Sequence, residues 1–301
     1  MGPYLRTLIE RLRVIPETDK QFVADAQWAA SSLAMTEDVI AELVEAGVPA
    51  RPEGERVLLD SRDLTSISYA YSGASPNRKS AQLWARQLRS LHSFPAGHEV
   101  GYVVQCPVPG HSGNCGWRFL APESGGCTPT TDAHPIYSLS TPASRPPVEA
   151  PRDVTDIVDR YADVSFHILP TSLMGDTDFV RRRRLAECDT MAQTVVEDAL
   201  RAGIEARTAS GLIVARPYSS THSWAEFRIQ NAWVPYDAFL IHTMQGWNIP
   251  GARELDPHMS LDGFLLRLSE RREPLVTHRG EPVQPALPTR RVSASASALA
   301  N

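Results

Sequence analysis

Cys188, His222 and Asp237 are the residues whose types and spacing could do chemistry together. A thiolate is a nucleophile. An imidazole can take the thiol proton and later return it to a leaving group, and a carboxylate can orient that imidazole. Cys188 opens a helical pattern with an apolar stripe at Cys188, Ala192, Val195, Val196 and Ala199, stopped by Gly203. In the first turn of a helix, unbonded N–H groups and the positive end of the dipole favour a thiolate. Its backbone N–H is the expected donor to an oxyanion.

The other two residues are placed by a predicted hairpin. The segment 222–229 reads as a strand, Gln230-Asn231 as a two-residue turn, and 232–237 as the returning strand. With that turn Ile229 pairs with Ala232, and the same register continues to Trp224 opposite Asp237. His222 and Asp237 then share one face, diagonal to each other, while Ala225, Phe227 and Ile229 point to the other. A strand over 208–215 precedes the hairpin. The chemistry such a set supports is attack of the Cys188 thiolate on an acyl carbonyl, giving a thioester acyl-enzyme.

These residues carry a family resemblance over about residues 181–241. Cys188 with Ala192, then Gly203-Ile204-x-Ala206-Arg207-x-x-x-Gly211, then His222-x-Trp224-x-Glu226, then Trp233-x-x-x-Asp237 resembles the transglutaminase-like superfamily. The resemblance implies a papain-like α+β core, with the nucleophile helix packed on an antiparallel sheet. It implies Cys188 as nucleophile, His222 as base, Asp237 as orienter, and Trp224 and Trp233 lining the substrate site. Many relatives have glycine two residues before the cysteine, where this chain has Ala186. The family also recruits an upstream Trp or Gln for the oxyanion; Trp84, Gln105 and Trp117 have the right type. Three functions follow: an acyltransferase forming an amide bond, a peptidase or amidase using water, or an inactive binding module. The intact Cys-His-Asp set argues against the module, and analogy favours transfer. The expected partners are an amide, ester or thioester donor and an amine or water acceptor.

The rest of the chain must position these residues. Segments 3–13 and 20–48 read as helical, with an internal start at Thr36-Glu37-Asp38 and a stop at Gly47. A short strand is expected at 57–59, a helix at 80–91 and a strand at 99–105. Residues 1–140 form the expected N-terminal, mostly helical region, including a Cys- and Gly-rich segment at 106–134. A proline-rich connector spans 141–153, the catalytic domain 154–272, and a polar tail expected to be disordered 273–301.

Composition bounds the alternatives. The chain has 301 residues, 42% of them hydrophobic, and a net charge of −5, which offers no field for nucleic acid or an anionic membrane. No apolar run is long enough for a span, and the N-terminus lacks a basic and apolar leader, so a cytoplasmic location is the expectation. Four cysteines are too few for a disulfide scaffold. Cys106, His111, Cys115, Cys127 and His134 have zinc-ligand types, but no paired CxxC knuckles. They read as reduced thiols and loop histidines, with a zinc site as the alternative. The run of arginines at 181–184 reads as a solvated face, or as an aid to the Cys188 thiolate or a dock for an acidic partner. No Walker loop, HExxH, GxSxG or dinucleotide fingerprint occurs, and no cofactor is expected.

Overall fold

The computed structural model describes residues 1–71, 73, 75–91, 97–110, 115–122, 127–130, 135–141 and 145–292. In chain order its elements are α1 (Pro3–Leu12), β1 (Phe22–Ala24), α2 (Ala26–Leu33), α3 (Glu37–Glu45), β2 (Ala50–Glu53), β3 (Arg56–Asp60), α4 (Ser61–Ala70), α5 (Pro76–Leu91), β4 (His98–Val103), β5 (Trp117–Leu120), β6 (Cys127–Thr130) and β7 (Ile136–Ser140). They continue with α6 (Arg152–Val158), β8 (Ser165–Phe166), α7 (Thr177–Arg183), β9 (Leu185–Ala186), α8 (Cys188–Arg201), β10 (Ala206–Ile213), β11 (Ser220–Ile229), β12 (Ala232–Tyr236), α9 (Ala238–Gly246), β13 (Leu265–Ser269), β14 (Val276–His278), β15 (Glu281–Val283) and β16 (Thr289–Arg291). Helix and mainly antiparallel sheet are mixed, as an α+β reading expects. None of the described helices is long and apolar enough to cross a membrane.

The chain divides into two compact units rather than into consecutive domains. One comprises Met1–Arg86, Ala150–Ile204 and Asp237–His258; the other comprises Gln87–Glu149, Glu205–Tyr236 and Met259–Asn301. Each unit gathers three segments, and the expected 141–153 connector contains the passage from Glu149 of the second unit to Ala150 of the first. The reason is visible in the first unit's core. Leu8 and Leu12 of α1, Leu43 of α3 and Leu64 of α4 share one apolar cluster with Phe179 of α7 and Leu185 of β9. The N-terminal helices thus complete the core on which the α8 segment is built.

The expected helical stretch 20–48 is broken. Phe22–Ala24 pairs with β3, Asp25 caps α2 through the Trp28 N–H, and α2 ends at Ala34 in the left-handed region. Helix α3 begins after Thr36, at the internal start read from Thr36-Glu37-Asp38. A helix not foreseen, α4, follows β3 directly, with Asp60 accepting the Arg62 N–H as its cap. One face of α4 carries Asp63, whose carboxylate is buried between the Lys20 ammonium and the His167 ring, each at 2.8 Å. All three side chains are almost wholly excluded from solvent, so this triad ties the segments around residues 20, 63 and 167 with charge taken out of water.

The second unit is built of three antiparallel sheets, ordered β12-β11-β10-β13, β15-β14-β5-β6 and β16-β4-β7. The stretch from residue 273, expected to be disordered, is ordered as far as Val292: β14 and β15 form a hairpin on β5, and β16 pairs with β4. Val276 and Leu287 anchor it in a core with Tyr102, Trp117 and Phe119. Short strands with prolines between them carry little periodicity, but long-range pairing stabilises them. Residues 293–301 lie outside the described residues. Replacing Asp63 with Asn is expected to lower stability by about 3–5 kcal/mol, because Lys20 keeps a buried charge without its counterion. Urea unfolding of the two proteins measures this, and a loss under about 1 kcal/mol would contradict the role given to the triad.

Candidate active site

Cys188 is the first residue of α8, as its spacing predicts, and it is partly exposed. Two local features hold it there. The strands β8 and β9 run parallel and pair Phe166 with Ala186, and the His167 N–H donates to the Ala186 carbonyl at 2.8 Å. Ala186, standing where relatives have glycine, is fully buried in that pair. The N-cap that follows is Glu187: its buried carboxylate accepts the N–H groups of Asp189 and Thr190 at 2.9 and 2.8 Å, and the Thr190 hydroxyl. Two helix N–H groups that the sequence assigned to a thiolate are thus taken by a carboxylate, which also lies 3.9 Å from the Cys188 sulfur.

Within the same unit an aromatic group neighbours this cysteine. Burial first, then electrostatic interaction with Cys188, pushes the Tyr69 phenol up to about 12. Its ring stacks on Trp247 at 4.5 Å and meets Phe166 edge-on at 5.5 Å, with Trp84 at 6.2 Å. Of the three upstream oxyanion candidates, Trp84 belongs to this aromatic group. Trp117 is a core residue of the second unit and Gln105 is an exposed loop residue of that unit. Tyr69 and Trp247 were not singled out by motif; both lie outside the familiar spacing, and only packing reveals them.

Asp237 differs from expectation. The ladder of β11 and β12 ends with Ala225 opposite Tyr236, and Asp237 leaves the strand to cap α9, accepting the Leu240 N–H through Oδ1 at 2.9 Å. A carboxylate that caps a helix is held in one orientation by the backbone, which is what an orienting group needs. It is buried.

His222 lies on β11, in the second unit, buried and opposite Gly211 of β10. A Cβ on Gly211 would stand 2.0 Å from the Leu266 carbonyl oxygen of β13, so only glycine lets β13 approach the strand that faces His222. The hairpin has the expected register, Ile229 with Ala232, and its turn is Gln230-Asn231 with φ of 49° and 65°, a type I′ turn. Both faces of β11 from residue 222 to 227 are buried, rather than one face alone.

The two tryptophans separate. Trp224 is fully buried, and its ring lies near-parallel to His222 with centroids 6.2 Å apart. Trp233 pairs with Arg228, six residues along β11 from His222, or about 20 Å away. There the Arg207 guanidinium covers its ring at 4.2 Å. The motif's Arg207 and Glu226 are cross-strand partners joined by an ion pair of 2.6 Å, with Arg267 at 3.8 Å. These motif residues brace the sheet. The arginine run is likewise structural in part. Arg181 binds Glu197 and Asp198 of α8, each at 2.9 Å, and Arg184 ends α7 in the left-handed region with its side chain towards Asp163. Burial would raise the Asp198 carboxyl, but its bonds to Tyr161 and Arg181 win and hold it below the usual range.

Residues 139–238 match the family model of the transglutaminase-like superfamily. The match contains Cys188, His222 and Asp237 and extends upstream through α6, α7 and the proline-rich stretch. A search of curated proteins finds no match to the chain. The superfamily suggests a cysteine-based enzyme fold for this segment. Because Asn can still accept the Leu240 N–H, Asp237→Asn is expected to stay within about 0.5 kcal/mol of the parent, whereas Asp237→Ala loses about 1 kcal/mol. Urea denaturation decides it: equal losses in both variants would show that the cap contributes nothing.

Proposed function

We propose that this protein is a cysteine-dependent acyltransferase that works through a thioester and forms an amide bond. The observation that supports it most is the position of Cys188: a partly exposed thiol on the first turn of α8, behind a buried N-cap, inside the transglutaminase-like match. In this reading the thiolate attacks an acyl carbonyl, the tetrahedral oxyanion is held by the Cys188 N–H, and collapse expels the donor's leaving group, which takes a proton from His222. His222 then accepts a proton from the incoming amine as its nitrogen attacks the thioester carbonyl. The amide forms, the C–S bond breaks, and the thiol is restored.

Asp237, held by the α9 N-terminus, is the group that orients the imidazole, and the papain-like packing of helix on sheet belongs to the same proposal. Analogy with the superfamily favours an amine over water as acceptor. Donor and acceptor are small or peptide-borne carbonyl and amine groups, and a reducing compartment would keep the thiol available.

The test is intact-mass analysis of the full chain after mixing with p-nitrophenyl esters. One acyl group is expected on Cys188, absent from Cys188→Ala, and discharged at least about tenfold faster by a primary amine such as dansylcadaverine than by water. An adduct that survives Cys188→Ala, or none on a folded parent, contradicts the mechanism. Discharge by water alone identifies a hydrolase instead.

A further inference from the structure

The second unit holds a cluster of soft ligands that the acyl chemistry does not use. Cys106 follows β4, Cys115 precedes β5, and His278 is the last residue of β14. Their ligand atoms, the two sulfurs and a ring nitrogen, all lie within 4.8 Å of one another. The Cys106 sulfur is 3.7 Å from His278 Nε2, and neither cysteine is in a disulfide. We propose that Cys106, Cys115 and His278 bind a zinc ion that clips the β4 segment to the β5–β14 sheet.

The distances suit that ion. Bonds of about 2.3 Å to sulfur and about 2.0–2.1 Å to nitrogen at a tetrahedral angle put S and N about 3.6 Å apart and two sulfurs about 3.8 Å apart. Two thiolates and an imidazole select zinc over magnesium or calcium, which require oxygen. On binding, each thiol releases its proton to solvent, and the two thiolates neutralise the dication. Water completes the tetrahedron as a fourth ligand.

The ligands are held before the metal arrives. His278 sits opposite Trp117 in the β14–β5 ladder, and the two rings pack at 4.6 Å. The next residue, Arg279, turns the chain in the left-handed region, and its N–H donates to the Gly116 carbonyl at 2.7 Å, beside Cys115. Cys115 is fully buried and Cys106 partly so. The cysteine spacing alone pointed to no metal, because the third ligand comes from 163 residues beyond Cys115, in a stretch expected to be disordered. Of the other residues weighed for zinc, Cys127 lies on β6 opposite Leu120, three positions along β5 from Trp117, while His111 and His134 fall outside the described residues.

The experiment uses the full chain purified under reducing conditions, with metal content read by plasma mass spectrometry. About one zinc per chain is expected in the parent and in Cys188→Ala, and less than about a fifth of that in Cys106→Ser. Replacing zinc by Co²⁺ should give a thiolate-to-cobalt band in the near ultraviolet together with tetrahedral d–d bands. Both should be lost in Cys106→Ser and displaced in His278→Gln. Cys106 is the deciding position because it is only partly buried, so its serine variant should fold even if Cys115→Ser does not; circular dichroism checks this. Three results would overturn the proposal: no zinc or cobalt on the folded parent, equal metal on Cys106→Ser, or a mass two units low that marks a Cys106–Cys115 disulfide.

Discussion

Where α8 begins is decided by one carboxylate. Glu187 satisfies the N–H groups of Asp189 and Thr190, and the β8–β9 pair fixes the two residues before it. Cys188 is therefore the first residue with helical geometry, and it is partly exposed. Further along, Arg181 ties α7 to Glu197 and Asp198 on α8, so the helix cannot slide without breaking those bonds. The Glu187 carboxylate lies 3.9 Å from the Cys188 sulfur. The task of base is the one the proposal gives to His222.

The same economy recurs at the other two residues. Asp237 spends one oxygen on the α9 N-terminus and is immobilised by it. His222 is carried by a strand whose neighbours were chosen for packing: Gly211 admits β13, and the Arg207–Glu226 pair holds β10 to β11. Most of the recurring motif residues are accordingly supports. In the proposed reading the chemistry is confined to the ends of elements and to one strand position, and the surrounding residues keep those positions still.

What could be read from sequence followed the range of the interactions involved. Helix α8 and the β11–β12 register were legible because both rest on local signals, a stripe ending at Gly203 and an Asn-containing two-residue turn. Within 20–48 the start of α3 after Thr36 was legible too, whereas the strand at Phe22–Ala24 and the left-handed end of α2 at Ala34 were not, since alanine in the left-handed region gives no compositional warning. The exit of Asp237 from its strand was hidden as well: a cap residue and a strand residue look alike when a helix follows without a gap. The pairing of β14, β15 and β16 with β5 and β4 joins residues far apart in the chain, so nothing in the proline-containing tail announced it. The clustering of His278 with Cys106 and Cys115 was missed for the same reason.

The central claim of the proposal is that His222 acts as the base for Cys188. It is tested most directly by the rate at which iodoacetamide alkylates Cys188 at pH 6, read by peptide mapping in the parent and in a folded His222→Ala variant. The proposal predicts that the parent reacts at least about tenfold faster, because only a thiolate attacks and His222 is the group proposed to take the thiol proton. Equal rates in the two proteins would contradict it.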